Sequence, residues 1–130
     1  VILVDSSLWI ESFRRGGVAL DDYVDIDDVV TCLPIVQEVL QGFRDERAWR
    51  VAREAMFAIP MLESPLRAEL FDEAASLYRL ARSRGFTIRA SADCLIAVCA
   101  LRNGVPVYHC DRDFTALSRV SALQSRAITS

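Results

Sequence analysis

Short apolar runs alternate along the chain with longer stretches of helical spacing. The runs VILV (1–4), DVVTC (28–32) and VPVYHC (105–110) read as buried strands, because strands covered on both faces lose the polar/apolar alternation. A weaker run, IPMLE (59–63), and a last one, ALQSRAI (122–128), bring the expected strands to five.

Between the runs the apolar period changes from two to about four. A first helix is expected over 8–14, and a second over 33–43 with Gly42 as its stop. In 46–59, Trp49, Ala52, Met56 and Ile59 recur at helical spacing. The longest helix is expected over 64–85, with Ser64 as N-cap, Pro65 in the first turn and Gly85 at the end. Another runs from Ser91, taken as its N-cap, to Gly104, with Leu95, Ile96, Cys99 and Ala100 on one face. A short helix is expected after Asp111. The stretch RRGGVALDD (14–22) reads as a flexible loop. Strands alternating with helices predict an α/β fold, a mostly parallel central sheet flanked by helices. No repeat or linker interrupts the 130 residues, so one domain over 1–130 is expected.

Composition narrows the chemistry. Half of the chain is apolar (52%), yet no run approaches the roughly 20 residues of a membrane span. The start has no basic leader and carries Asp5 early, so no signal peptide and a cytoplasmic location are expected. The chain does not open with Met, which suggests a trimmed or processed N-terminus. The net charge of −3 does not advertise a polyanion partner. Every basic residue is an arginine, which excludes P-loop, Schiff-base and other lysine-dependent mechanisms. Cys32, Cys94, Cys99 and Cys110 form no C-x-x-C and lie in apolar stretches; they read as small buried hydrophobes of a reducing compartment. With one histidine, a structural zinc site is not expected.

The acids carry the candidate chemistry. Asp5 directly follows the first strand, and ligands of parallel α/β sheets gather beyond the carboxyl ends of strands. It also suits the N-cap of the next helix, and the two roles are compatible. Glu38 borders the apolar stripe of its helix, where a carboxylate is costly unless paired or bound to a cation. Asp93 lies in the first turn of an almost wholly apolar helix, as a dipole partner or at the mouth of a site. Asp111 and Asp113 end the third strand as Asp5 ends the first; alone, they read as a helix cap and a first-turn acid. Gathered in one cleft, these carboxylates would repel and raise one another's pKa unless an oxygen-ligand cation such as Mg²⁺ or Mn²⁺ neutralised them.

The set VDSS (4–7), IVQEVLQG (35–42), SADCLIAVCAL (91–101) and VYHCDRDF (107–114), in that order over nearly the whole chain, resembles the PIN-domain family, and within it the VapC-like ribonuclease toxins of toxin–antitoxin pairs. The resemblance implies a PIN-like three-layer domain and an acidic pocket for Mg²⁺ or Mn²⁺. Asp5, Glu38, Asp93 and Asp111 match the family's four acids, and Asp113 a frequent extra one whose role varies. Asp5 and Asp93 would be the main metal anchors, and Ser6 a supporting residue. The implied function is metal-dependent endonucleolytic hydrolysis of RNA.

A VapB-like antitoxin and a homodimer are the implied protein partners. Trp9 and Phe13 are candidate contacts, against ordinary core packing, which is the favoured reading. Arg112, between two aspartates, is a candidate RNA contact. The stripe Arg44, Arg47, Arg50 and Arg53 reads sooner as a solvated face balanced by Asp45, Glu46 and Glu54. Two rivals stand beside the nuclease: a binding module without turnover, and an aspartyl-nucleophile phosphatase built on Asp111 and Asp113. A hydrolase built on His109 and Cys110 is poor, since neighbours on a strand face opposite ways.

Overall fold

The computed structural model describes residues 1–129. The first strand, β1 (Ile2–Val4), is followed by α1 (Ser6–Phe13), and after two short 3-10 turns by β2 (Val29–Val30). Then come α2 (Leu33–Leu40), α3 (Glu46–Phe57), α4 (Ala68–Ser83), α5 (Ser91–Asn103), β3 (Val107–His109), α6 (Arg112–Val120) and β4 (Ser125–Ala127). The four strands form one parallel sheet in the order β2-β1-β3-β4. Leu3 stands opposite both Val30 and Val107, which places three apolar side chains in one row. Helices α4, α5 and α6 pack together, and α1, α2 and α3 form a second group. The expected parallel α/β architecture is therefore present.

The core shows why these elements form. Leu3, Val4, Ile35, Ile96, Val107, Phe114 and Leu117 are all essentially inaccessible. Helix α5 buries Cys94 and every residue from Ile96 to Ala100, which is the pattern of a helix enclosed by neighbours rather than lying on a surface. It ends at Gly104, whose φ of 63° is the left-handed conformation that glycine adopts most cheaply. Among the described residues, no helix is long and apolar enough to cross a membrane.

The structure corrects four expectations. The run 59–63 is not a strand; it touches the sheet through the single bridge Thr31–Met61. Pro60 accepts from the Thr31 N–H but has none of its own to donate, so the ladder stops there. The long helix begins at Ala68, not Ser64, and Ser64 and Pro65 lie in a bend before it. That bend is tied elsewhere: Glu63 accepts from Arg102 and Asn103 at the end of α5, and its φ of 53° departs from helical geometry. Ser91 does not cap α5; Ala90 holds the cap position, without a side-chain bond. Cys32, Cys94 and Cys99 are buried as expected, but Cys110 is exposed.

Candidate active site

In the strand order, β1 and β3 are neighbours, and the chain leaves them toward different helices. This is the switch point at which open α/β sheets bind ligands. Asp5 follows β1, and its backbone N–H donates to Tyr108 O at 2.9 Å, which locks it beside β3. Asp111 follows β3 by one residue. Both acids cap the next helix, as local sequence suggested. Asp5 Oδ2 accepts from the Ser7 N–H at 3.0 Å and from Ser7 Oγ, while Asp111 Oδ1 accepts from the Asp113 N–H at 2.9 Å. Each cap uses one named oxygen of its carboxylate. Asp5 Oδ1 is buried with no hydrogen-bond partner.

Glu38 and Asp93 come from the two helices that meet across this point. Glu38 is half-buried and accepts from Ser6 Oγ at 3.1 Å. Asp93 is 3% exposed, and its Oδ2 also lacks a partner. One carboxylate oxygen from each of Asp5, Glu38 and Asp93 lies within 4.8 Å of the others, and so does one from each of Asp93, Asp111 and Asp113. All five acids thus belong to one cluster in which Asp93 is common to both triads. The donor set is hard oxygen throughout, and two of its oxygens are buried without a donor. Those properties fit a divalent cation of the Mg²⁺ or Mn²⁺ kind.

The electrostatics point the same way. Burial, with the charges of Asp5 and Asp111 and the Asp113 side chain added, pushes Asp93 up to about 9. Burial also raises Asp5 above the usual carboxylate range, although the Ser7 bonds oppose it. Glu38 is raised by burial and then by Asp5. Without a counter-charge, burial and mutual repulsion favour the protonated forms of these acids, most of all that of Asp93.

Asp113 is committed to structure as well. It is 3% exposed, and its Oδ2 accepts from the backbone N–H groups of Arg89 and Ala90, at 3.0 and 3.1 Å, just before α5. Both N–H groups precede the helix, so Asp113 fixes the chain entering α5 and does not replace a side-chain cap. Asp113→Ala should therefore destabilise the fold by about 1–3 kcal/mol, by orphaning two N–H groups. Urea unfolding measures this, and a loss under about 0.5 kcal/mol, the range of ordinary surface changes, would contradict the role.

Arg112 is exposed and makes no ion pair among the described residues. The Arg89 side chain is also exposed, next to the backbone that Asp113 holds. Of the arginine stripe, Arg44 lies before α3 and the other three on it; all are exposed, with Arg50 paired to Glu46 and Arg53 over the rings of Trp49 and Phe57. Trp9 is buried, as core packing requires, but Phe13 is 51% exposed and stacks on it. Two contributors were not foreseen. Ser7 Oγ donates to Asp5 and accepts from the Cys110 N–H at 3.0 Å, and His109 Nδ1 accepts from the Asp111 N–H at 3.2 Å. The doubled serine after Asp5 was the available signal for the first; position 109 gave none.

A parallel sheet with carboxylates converging at its switch point is the arrangement of a PIN domain. The PIN-domain model matches residues 2–120, and the chain belongs to that family. Within it, the chain is 34% identical to ribonuclease VapC11 of Mycobacterium tuberculosis over 131 residues, covering 96% of this chain and 97% of that one. The fold matches VapBC2 of Rickettsia felis, solved with a DNA fragment from its promoter, at a TM-score of 0.74 with 10% identity over 98% of both chains. It also matches VapBC-5 of Mycobacterium tuberculosis, a toxin–antitoxin system, at 0.72 with 23% identity over 97% of both.

Proposed function

We propose that the chain is a metal-dependent endoribonuclease and the toxin of a toxin–antitoxin pair, one domain acting in the cytoplasm. The observation that carries this reading is the five-acid cluster with two buried, partnerless carboxylate oxygens. The kinship with VapC ribonucleases supports RNA as the substrate. Asp5 and Asp93 are the main anchors for Mg²⁺ or Mn²⁺, Glu38 and Asp111 complete the shell, and Asp113 contributes beside its bonds to Arg89 and Ala90. Such a cation, when bound, lowers the pKa of a water and offsets charge building on the scissile phosphate. Ser7 and Ser6 fix the orientations of Asp5 and Glu38. Glu38, less buried than Asp5, has its pKa raised by burial and then by Asp5, and is the proposed proton acceptor of the cluster. The phosphatase reading loses ground beside the kinship with VapC ribonucleases.

The test is cleavage of total RNA by the purified chain. Cleavage should require Mg²⁺ or Mn²⁺, stop in EDTA and be lost in Asp5→Asn. Undiminished cleavage by folded Asp5→Asn would sink the assignment. Arg112, exposed and next in the chain to Asp111, is the proposed contact for a substrate phosphate, so Arg112→Glu should raise KM and flatten its salt dependence without weakening Mn²⁺ binding.

The antitoxin has a fitting surface. A groove of about 1030 Å³ between α1 and α3 is lined by Trp9, Phe13, Ile26, Phe43, Val51 and Met56. Phe13, Ile26 and Val51 are more than half exposed there, a concentration of apolar surface that an amphipathic helix would cover. Val51→Asp is expected to abolish co-purification with the antitoxin while RNA cleavage persists; retained co-purification would move the contact elsewhere. A homodimer belongs to the same proposal, with the apolar face of α4 and α5 around Phe71, Tyr78 and Leu95 as its surface.

A further inference from the structure

Between β3 and α6, two successive backbone N–H groups leave the sheet ladder and are taken up by side chains. The Cys110 N–H donates to Ser7 Oγ, and the Asp111 N–H donates to Nδ1 of His109. The second bond sets the tautomer, since an accepting Nδ1 leaves the proton of the neutral ring on Nε2. That Nε2 has no protein partner. The imidazole is wholly buried and packs on the Phe114 ring, 5.2 Å away between centroids. Val107 occupies the equivalent face of β3 one pleat earlier with no such orphan. An aliphatic side chain at 109 would fill the space without burying an unpaired N–H. Packing therefore does not account for histidine here, whereas its acceptor nitrogen does.

We propose that His109 is a positioning residue for the acidic site, holding the Asp111 backbone so that this carboxylate faces the cation shared with Asp93. This rests on the metal-dependent reading above. The bond heads a continuous path: Asp111 Oδ1 takes the Asp113 N–H, and Asp113 Oδ2 takes the Arg89 and Ala90 N–H groups that lead into the helix of Asp93. Phe114 anchors the ring from the first turn of α6, so the ring and the carboxylate it serves are held by the same helix.

The test compares wild type with His109→Asn, His109→Gln and His109→Leu. Asparagine offers an oxygen near the place of Nδ1, glutamine extends its polar atoms toward Nε2, and leucine keeps bulk alone. Mn²⁺ affinity is read from the spectrum of the free ion, and the Asp111 backbone from amide exchange. Leucine and glutamine should weaken Mn²⁺ binding by about tenfold or more, as loss of outer support does at metal sites. Both should also speed exchange at Asp111, while asparagine stays near wild type in both measurements. Unchanged Mn²⁺ affinity in the leucine and glutamine variants would overturn the proposal, and so would an asparagine variant as impaired as they are. Wild type that binds no Mn²⁺ would overturn the metal reading instead. Exchange at Asp111 would then decide on His109 alone: faster in leucine supports the clamp, unchanged removes it.

Discussion

Asp93→Asn is expected to lose cleavage by more than about 100-fold, beyond what outer-shell changes usually cost, and yet to melt at a higher temperature than wild type in EDTA. The two effects share one cause. Asp93 is common to both triads of acids, so its loss removes an anchor from every arrangement of the cation. In the metal-free protein it is held protonated, at about 9 against 3.8 for an unperturbed aspartate. At pH 7.5 the unfolded chain gains by ionising it, and each pH unit between the two values weighs about 1.4 kcal/mol against the fold. Asparagine has nearly the shape of the protonated acid and no ionisation to give up. A stabilisation of about 2 kcal/mol would raise Tm by roughly 5–10 °C in a chain of this size. A variant that melts below wild type in EDTA, or that still cleaves RNA, would contradict the account.

The second large effect is the dependence of stability on pH, which should change with metal. Asp5, Glu38 and Asp93 all have raised pKa values in the folded state. For a raised carboxyl, the contribution to stability is complete below the unfolded pKa and is lost as pH rises toward the folded one. Thermal melts in EDTA should therefore fall from about pH 5 to pH 9. A divalent cation competes with these protons, so its stabilising effect should grow over the same interval. At a free concentration of about 100 times its dissociation constant, it should add roughly 2.7 kcal/mol. Melts in EDTA that are flat or rising with pH would mean that the acids are not held protonated. A Mn²⁺ shift that does not grow with pH would separate metal binding from them.

Some of this was legible before any coordinates. Asp5 and Asp111 stand out because a short buried run ends in an acid that also suits a helix cap, which is a local signal. Their meeting was not local. It follows from β1 and β3 pairing across about a hundred residues, and spacing alone does not specify that register. Glu38 and Asp93 were open between surface acid and site, since a helix period places a side chain on a face without saying what the face meets. The misplaced starts of α4 and α5 have the same origin. Ser64 and Ser91 satisfy the local rule for a cap, but distant groups decided the matter: Arg102 and Asn103 hold the bend beside Ser64, and Asp113 serves the backbone before Ser91. His109 could not be read at all, because its service to Asp111 depends on burial and ring orientation.

The capping bonds of Asp5 and Asp111 bear on how such a chain would decay. Each of these acids serves its helix through one oxygen, so selection for folding alone retains a capping oxygen there after selection for cleavage has lapsed. Glu38 and Asp93 cap nothing, and burying Asp93 without a cation weakens the fold. In an inactive descendant, positions 38 and 93 should drift first, while 5 and 111 remain acidic or become asparagine. Surviving acids after the first and third strands are therefore poor witnesses to activity, and the pair at 38 and 93 is the better one.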